Sequence, residues 1–318
     1  MTNKVDFGDV ITAMVTPFKN DKNESVDLDA VENLANHLLE NGTDTILLTG
    51  STGEAAQLSL QEKWDIVERV RKSTPIGTKI MVATSDTNTK RAIEKTKHAF
   101  QLGADVALVA VPEYIKLPPD ALFNHFNAIA KAIDGKPMMI YNIPSRTGSE
   151  ILPETVAKLA KENPNIVGTK QSFGNMDRVS ELKALCPADF QIYSGDDSLT
   201  LPMLALGARG VVSVASHLEG SFIKQMIQAF HQGNNKKANE LHMLLYPLYK
   251  SLFMTTNPLP VKEALYQKGL IPSPILRTMG EMSEDQKITL NHALYHFGQK
   301  KRFYLIEKHP PIRAQKDR

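Results

Sequence analysis

Short apolar runs recur along this chain, and most are followed by a polar stretch with helical spacing. The runs lie at residues 10–15, 45–48, 80–83, 106–111, 138–141, 166–168, 190–193 and 211–214. Continuous apolar runs of this length read as strands buried on both faces, as in a parallel sheet. Helix-period segments lie between most of them, at 29–40, 60–72, 89–102, 119–133, 153–161 and 176–185. Gly42, Gly103 and Gly207 each follow a predicted helix and precede a predicted strand, where a left-handed residue stops the helix. Ser59, with Glu62 three residues on, forms a capping box ahead of Leu60.

This alternation predicts an α/β fold. Eight strand–helix units suit a (β/α)8 TIM barrel. A doubly wound open sheet is the rival, weakened because no Gly-x-Gly-x-x-Gly follows the first strand. Beyond Ser221 the strand signal ends. Residues 222–232, 236–253, 260–268 and 283–297 read as helices, broken at Gly233, at Asn257-Pro258 and at Pro272 and Pro274. The predicted organisation is therefore a barrel over 1–220, a C-terminal helical region over 221–298 and a basic, disordered tail over 299–318. Pro310-Pro311 would stop any helix there.

Composition narrows the function. The 318 residues are 42% hydrophobic and 23% charged, with a net charge of +2, as in an ordinary globular protein. That near balance argues against a nucleic-acid partner, which would ask for a basic face. The longest aliphatic run is far short of the roughly 20 residues that cross a bilayer, and the start lacks the apolar core of a signal peptide. No membrane partner is expected. Cys186 is the only cysteine, which excludes an internal disulfide and a cysteine-rich zinc site. It reads as a small core residue in a chain suited to the reducing cytoplasm. The charge is uneven: 300–318 holds seven basic and two acidic residues, so residues 1–299 carry about −3.

In a barrel of this type the chemistry sits at the C-terminal ends of the strands. The second run leads into Gly50-Ser51-Thr52-Gly53-Glu54, where backbone amides and two hydroxyls can hold a carboxylate and relay a proton. A helix-capping turn would read the same way. The fifth run ends in Tyr141, an acid or base if its pKa is shifted, and Arg146 follows with a planar fork for a carboxylate. A core-edge tyrosine and a surface arginine are the plain alternatives. Lys170 follows the sixth run, where low polarity would favour a neutral amine able to attack a ketone. A snorkelling lysine is the commoner fate of any single Lys. The convergence of three strand ends on one mouth favours the chemical reading. Asp196-Asp197 are neighbours on an extended chain and point opposite ways. His292 and His296 have helical spacing but no third metal ligand, and His217 reads as a loop histidine near the mouth.

Together with Ser194-Gly195-Asp196-Asp197, Gly210-Val211-Val212-Ser213-Val214 and Asn257-Pro258-Leu259-Pro260-Val261-Lys262, these blocks resemble the dihydrodipicolinate synthase / N-acetylneuraminate lyase family. The resemblance runs from about Val10 to about Leu294. It implies a class I aldolase on a (β/α)8 barrel, acting on pyruvate without metal or cofactor, as a homo-oligomer (dimer or tetramer). Lys170 would form the Schiff base, Tyr141 would move protons, Ser51 would sit in the relay, and Tyr114 would be lent by a neighbouring subunit. Thr52, Arg146, Val212 and Gly195 would bind substrate, with Arg146 on the carboxylate of aspartate semialdehyde.

Arg146 favours the synthase branch, whereas Ser51 and Gln171 are spellings common among the lyases. Another pyruvate-dependent aldolase, or a non-catalytic keto-acid-binding relative, are the alternatives. Glu113 stands where synthases often have a second tyrosine, and the late Arg-Leu-Pro signature is missing after Arg277. In lysine-inhibited relatives the effector is held by histidine, asparagine, glutamate and tyrosine. The matching positions here are Lys63, Thr87, Arg91 and Glu113, which predicts insensitivity to lysine and raises a pairing of Arg91 with Glu113.

Overall fold

The computed structural model describes residues 5–308. The first half alternates β1 (Val10–Ala13), α1 (Leu28–Glu40), β2 (Thr45–Leu48), α2 (Leu60–Ser73), β3 (Lys79–Ala83), α3 (Thr89–Gln101), β4 (Val106–Ala110) and α4 (Pro119–Ala132). It continues with β5 (Met138–Asn142), the single turn α5 (Pro144–Thr147), α6 (Pro153–Glu162), β6 (Ile166–Gln171), α7 (Met176–Leu185), β7 (Gln191–Ser194), α8 (Thr200–Ala205) and β8 (Gly210–Ser213). Four helices follow: α9 (Ser216–His231), α10 (Asn235–Ser251), α11 (Leu259–Gln267) and α12 (Glu284–Lys308). The eight strands pair in parallel, in chain order, and β8 closes on β1. The fold is a TIM barrel with a C-terminal helical region.

Local signals explain the joints. Ser59 and Glu62 form the reciprocal capping box that starts α2. Gly42, Gly103 and Gly207 all take positive φ after their helices. Apolar side chains fill two levels. Ile11, Leu47, Met81, Leu108, Met139, Tyr193 and Val212 pack inside the barrel, and larger clusters lie between sheet and helices.

Three expectations change. The sixth strand does not stop at Gly168 but runs to Gln171, so Lys170 lies within it. Its polar side chains are satisfied in place: Thr169 donates to the Ile140 carbonyl and Gln171 to Thr169. The expected boundary at 220 falls inside α9, close to a kink at Glu219, and α9 packs on β1 and β8 as the barrel's eighth helix. Finally, the expected disorder from 299 is wrong for 299–308, which continue α12. Lys301 bonds both oxygens of Glu219, and Phe222 meets Tyr304 edge-on at 6.3 Å. These contacts replace the amphipathic period that the segment lacks. Pro310-Pro311 and the rest of the tail lie outside the described residues.

Cys186 is half-buried on the apolar layer beneath α7, and burial pushes its thiol up to about 11. That is the state of an inert thiol. No helix among the described residues is long and apolar enough to cross a membrane.

Candidate active site

Sheet register brings the central pair together. Tyr141 on β5 stands directly opposite Lys170 on β6, so both side chains project on the same face. The Lys170 Nζ lies 4.2 Å from the centroid of the Tyr141 ring, and the lysine is 5% exposed. Burial alone would push the Tyr141 phenol up. The Lys170 ammonium and the hydroxyls of Ser172 and Ser51 outweigh it and hold the phenol below its ordinary value. A phenol so placed is a competent proton carrier.

Gly195 gives this pair its room. A Cβ there would stand 1.8 Å from Ser172 Oγ and 2.8 Å from Lys170 Cε. The glycine is a steric requirement of the lysine stem.

The loop after β2 forms the next wall. Thr49 and Glu54 both take left-handed φ, and the loop between them approaches β1 closely. Thr16 donates to the Gly53 carbonyl at 2.7 Å. The loop is also held from far along the chain. Thr52 Oγ1 accepts from Asn257 Nδ2 at 2.9 Å. Glu54 receives Lys262 Nζ at 2.6 Å and the Arg277 backbone amide at 3.0 Å, with Lys262 and Glu54 both buried. Arg277 further bonds Glu62 and the carbonyls of Glu24 and Gln57. The missing Leu-Pro after Arg277 therefore does not remove the anchor.

Arg146 comes from α5, exposed, with its Nη2 3.3 Å from the Asn257 carbonyl. Asn257 thus ties the β2 loop to the β5 loop. Ser51, Arg146, Tyr141 and Lys170 line one cavity of about 410 Å³. Of the other candidates, the Thr52 and Val212 side chains are buried, and Gly195 backs the lysine. Tyr114 is outside the cavity of its own chain. It is 92% exposed at φ 72°, and its amide donates to the Thr147 carbonyl at 3.2 Å. Gln171 is buried and bonds Asn142, so its lyase-like spelling does not reach the cavity.

The cavity extends outward past Lys63, Trp64, Asp86, Thr87, Arg91, Lys95 and Glu113. Arg91 pairs there with Asp86 at 2.8 Å, in place of the pairing with Glu113.

Asp197 and His217 belong to the scaffold. Asp197 is buried and accepts from Ser213 Oγ and the amides of Val214 and Ala215. Burial lifts its carboxyl to about 6. The His217 ring accepts from the Val15 amide at 3.1 Å and bonds the Val214 carbonyl, so it joins the ends of β1 and β8 and does not line the mouth. Among the described residues no group of three or more His, Cys, Asp or Glu side chains is placed to hold a metal ion.

Sequence reasoning missed the clamp from the C-terminal region. In the sequence Lys262 reads only as part of a motif, and its partner Glu54 lies 208 residues away. An isolated acidic residue closing a Gly-rich loop, with an isolated lysine in an apolar helix, was the available signal.

Comparison with known proteins gives a consistent picture. The model of the dihydrodipicolinate synthetase family matches residues 6–297. A 4-hydroxy-tetrahydrodipicolinate synthase of Thermosynechococcus vestitus is 50% identical over 264 residues, covering 83% of this chain and 88% of that protein. One from Nostoc sp. is 45% identical over 291 residues, covering 90% of this chain and 98% of the relative. Among solved structures, the lysine-bound synthase from Cyanidioschyzon merolae superposes with a TM-score of 0.88 at 41% identity, covering 92% of this chain and 98% of that one. The dihydrodipicolinate synthase from Aquifex aeolicus gives the same score, identity and coverage.

Proposed function

The chain belongs to the dihydrodipicolinate synthetase family, and from that premise we propose that it works as a 4-hydroxy-tetrahydrodipicolinate synthase through a Schiff base on Lys170. It is an enzyme of the class I aldolase type, a lyase of lysine and diaminopimelate biosynthesis. Its substrates are pyruvate and aspartate semialdehyde.

The observation that carries the mechanism is the Lys170–Tyr141 contact at the inner end of the cavity. The Lys170 amine adds to the pyruvate ketone, and loss of water leaves an imine. Removal of a methyl proton gives an enamine, whose carbon attacks the aldehyde of aspartate semialdehyde. The new alkoxide takes a proton. The substrate's own amine then attacks the imine carbon, which closes the ring and releases Lys170. Tyr141 carries these protons, with the Ser51 hydroxyl beside it in the relay. The Ser51 and Thr52 amides hold the pyruvate carboxylate, and Arg146 holds that of the aldehyde.

Tyr114, exposed on its own chain, completes the relay of a second copy, so the working form is a homo-oligomer. A chain with one cysteine and a thiol-free mechanism suits the cytoplasm.

Borohydride reduction in the presence of pyruvate, followed by peptide mass spectrometry, tests the proposal. The expected result is an adduct on Lys170; its absence overturns the Schiff-base mechanism. Turnover with aspartate semialdehyde should far exceed that with N-acetylmannosamine. Arg146→Ala should chiefly impair use of aspartate semialdehyde, and an unchanged rate would point to another aldehyde.

A further inference from the structure

The outer part of the cavity presents a set of cations that the reaction does not use. Lys63 and Trp64 come from α2, and Arg91 and Lys95 from α3. Asp86 serves two of the cations at once, Arg91 Nη2 at 2.8 Å and Lys95 Nζ at 2.6 Å. Burial would raise the Asp86 carboxyl, but these two bonds hold it well below the usual carboxylate range. The aspartate is therefore a fixed anion, already engaged by both cations and by the Asn88 backbone amide at 2.9 Å. Lys63 is half-buried and has no ion pair among the described residues. Burial and then the neighbouring Lys95 push its ammonium below the ordinary value, against the pull of Asp86. An ammonium set between low-polarity surroundings and a second cation is unfavourable unless an anion joins it. Glu113 stands at the rim, exposed on its own chain beside Tyr114, and pairs with none of these cations among the described residues.

We propose that this outer chamber binds a compact oxyanion, held by Lys63 together with Lys95 and Arg91 beside Trp64. Phosphate and small carboxylates share the required chemistry: charge, several acceptor oxygens and small size. A cationic amino acid such as lysine would bring its ammonium against three cations. The site is independent of the Schiff-base chemistry, since Lys63, Arg91 and Lys95 take no part in it.

Trp64 is the only tryptophan and lies edge-on to His98 at 4.8 Å, so its fluorescence reports on this wall alone. The full chain is titrated with inorganic phosphate, then succinate, then lysine, at constant ionic strength and without substrates. Trp64 emission and calorimetric heat are both followed. Saturable binding of phosphate or succinate is expected, the stronger of the two identifying the preferred oxyanion. Lys63→Gln should weaken it by about tenfold or more, with Lys63→Arg restoring most of it. Arg146→Ala should leave it within about twofold, because Arg146 stands on α5, where it bonds the Asn257 carbonyl, and is not one of the proposed ligands. The proposal is overturned if neither anion saturates by either readout, or if lysine saturates instead. It also falls if Lys63→Gln, still cooperatively folded by thermal melting, binds as the parent does, or if Arg146→Ala abolishes binding.

Discussion

The cavity has two kinds of wall. Lys170 and Tyr141 stand on adjacent strands, and their meeting follows from backbone pairing: one register position, one face, a 4.2 Å contact. Ser51, Arg146 and the outer cations stand on loops and helices. Their placement depends on partners far along the chain, as Glu54 depends on Lys262 and both the Thr52 and Arg146 side chains on Asn257. Strand-borne groups inherit the rigidity of the ladder. Loop-borne groups need clamps, and those clamps are single points of failure.

The largest expected effect is on the strand wall itself. Lys170→Arg keeps a cation over Tyr141 but removes the nucleophilic amine, so turnover and the borohydride-trapped adduct should both vanish. Residual turnover at a tenth of the parent rate would break the distinction. Tyr141→Phe should lower kcat by roughly 10²–10⁴-fold while the pyruvate adduct still forms, since it removes a proton carrier and leaves the amine.

The loop wall is tested through its clamp. Lys262→Met leaves Glu54 buried without its ammonium, which costs roughly 3–5 kcal/mol of stability, measurable by urea unfolding. Replacing both partners, Lys262→Met with Glu54→Leu, should recover much of that loss. KM for pyruvate should rise in the single variant if the loop shifts.

A gentler test addresses the barrel ends that carry both walls. Burial lowers the His217 ring to about 4 from an ordinary 6.5. Its neutral form is thus favoured by folding, and the stability it supplies is complete above pH 6.5 and lost as pH falls towards 4. Asp197, raised to about 6, acts in the opposite sense, gaining a proton in the native state as pH falls. The stability difference between the parent and His217→Gln isolates the histidine. It should shrink by about 3 kcal/mol between pH 7 and pH 4; a pH-independent difference would contradict the assignment. The smallest effect belongs to Ser51→Thr. It keeps the hydroxyl on the clamped loop, and kcat should stay within a few-fold of the parent.

Much of the strand wall was legible in the sequence. Each apolar run marked a strand to within a few residues, and the chemistry of Tyr141 and Lys170 stood at the run ends. The end of the sixth strand was misjudged because Thr169, Lys170 and Gln171 are polar, and their partners on β5 are invisible to a periodicity count. The role of Gly195 was equally hidden. A glycine reads as a turn until the atoms that would collide with a Cβ are placed. The tail was misread for a similar reason, since α12 is held by Lys301 on Glu219 and Tyr304 against Phe222.

By itself, then, the sequence determined the barrel, its order of strands and the reactive types at their ends. Those follow from side-chain periodicity and local turn chemistry, which act over a few residues. Tertiary structure alone decided which loop is clamped by which distant lysine or asparagine. It also decided that Arg91 pairs with Asp86, and that Lys63 faces the cavity with no ion pair among the described residues. Such pairings join groups up to some two hundred residues apart. Only closure of the barrel and packing of the C-terminal helices bring those groups within reach of one another.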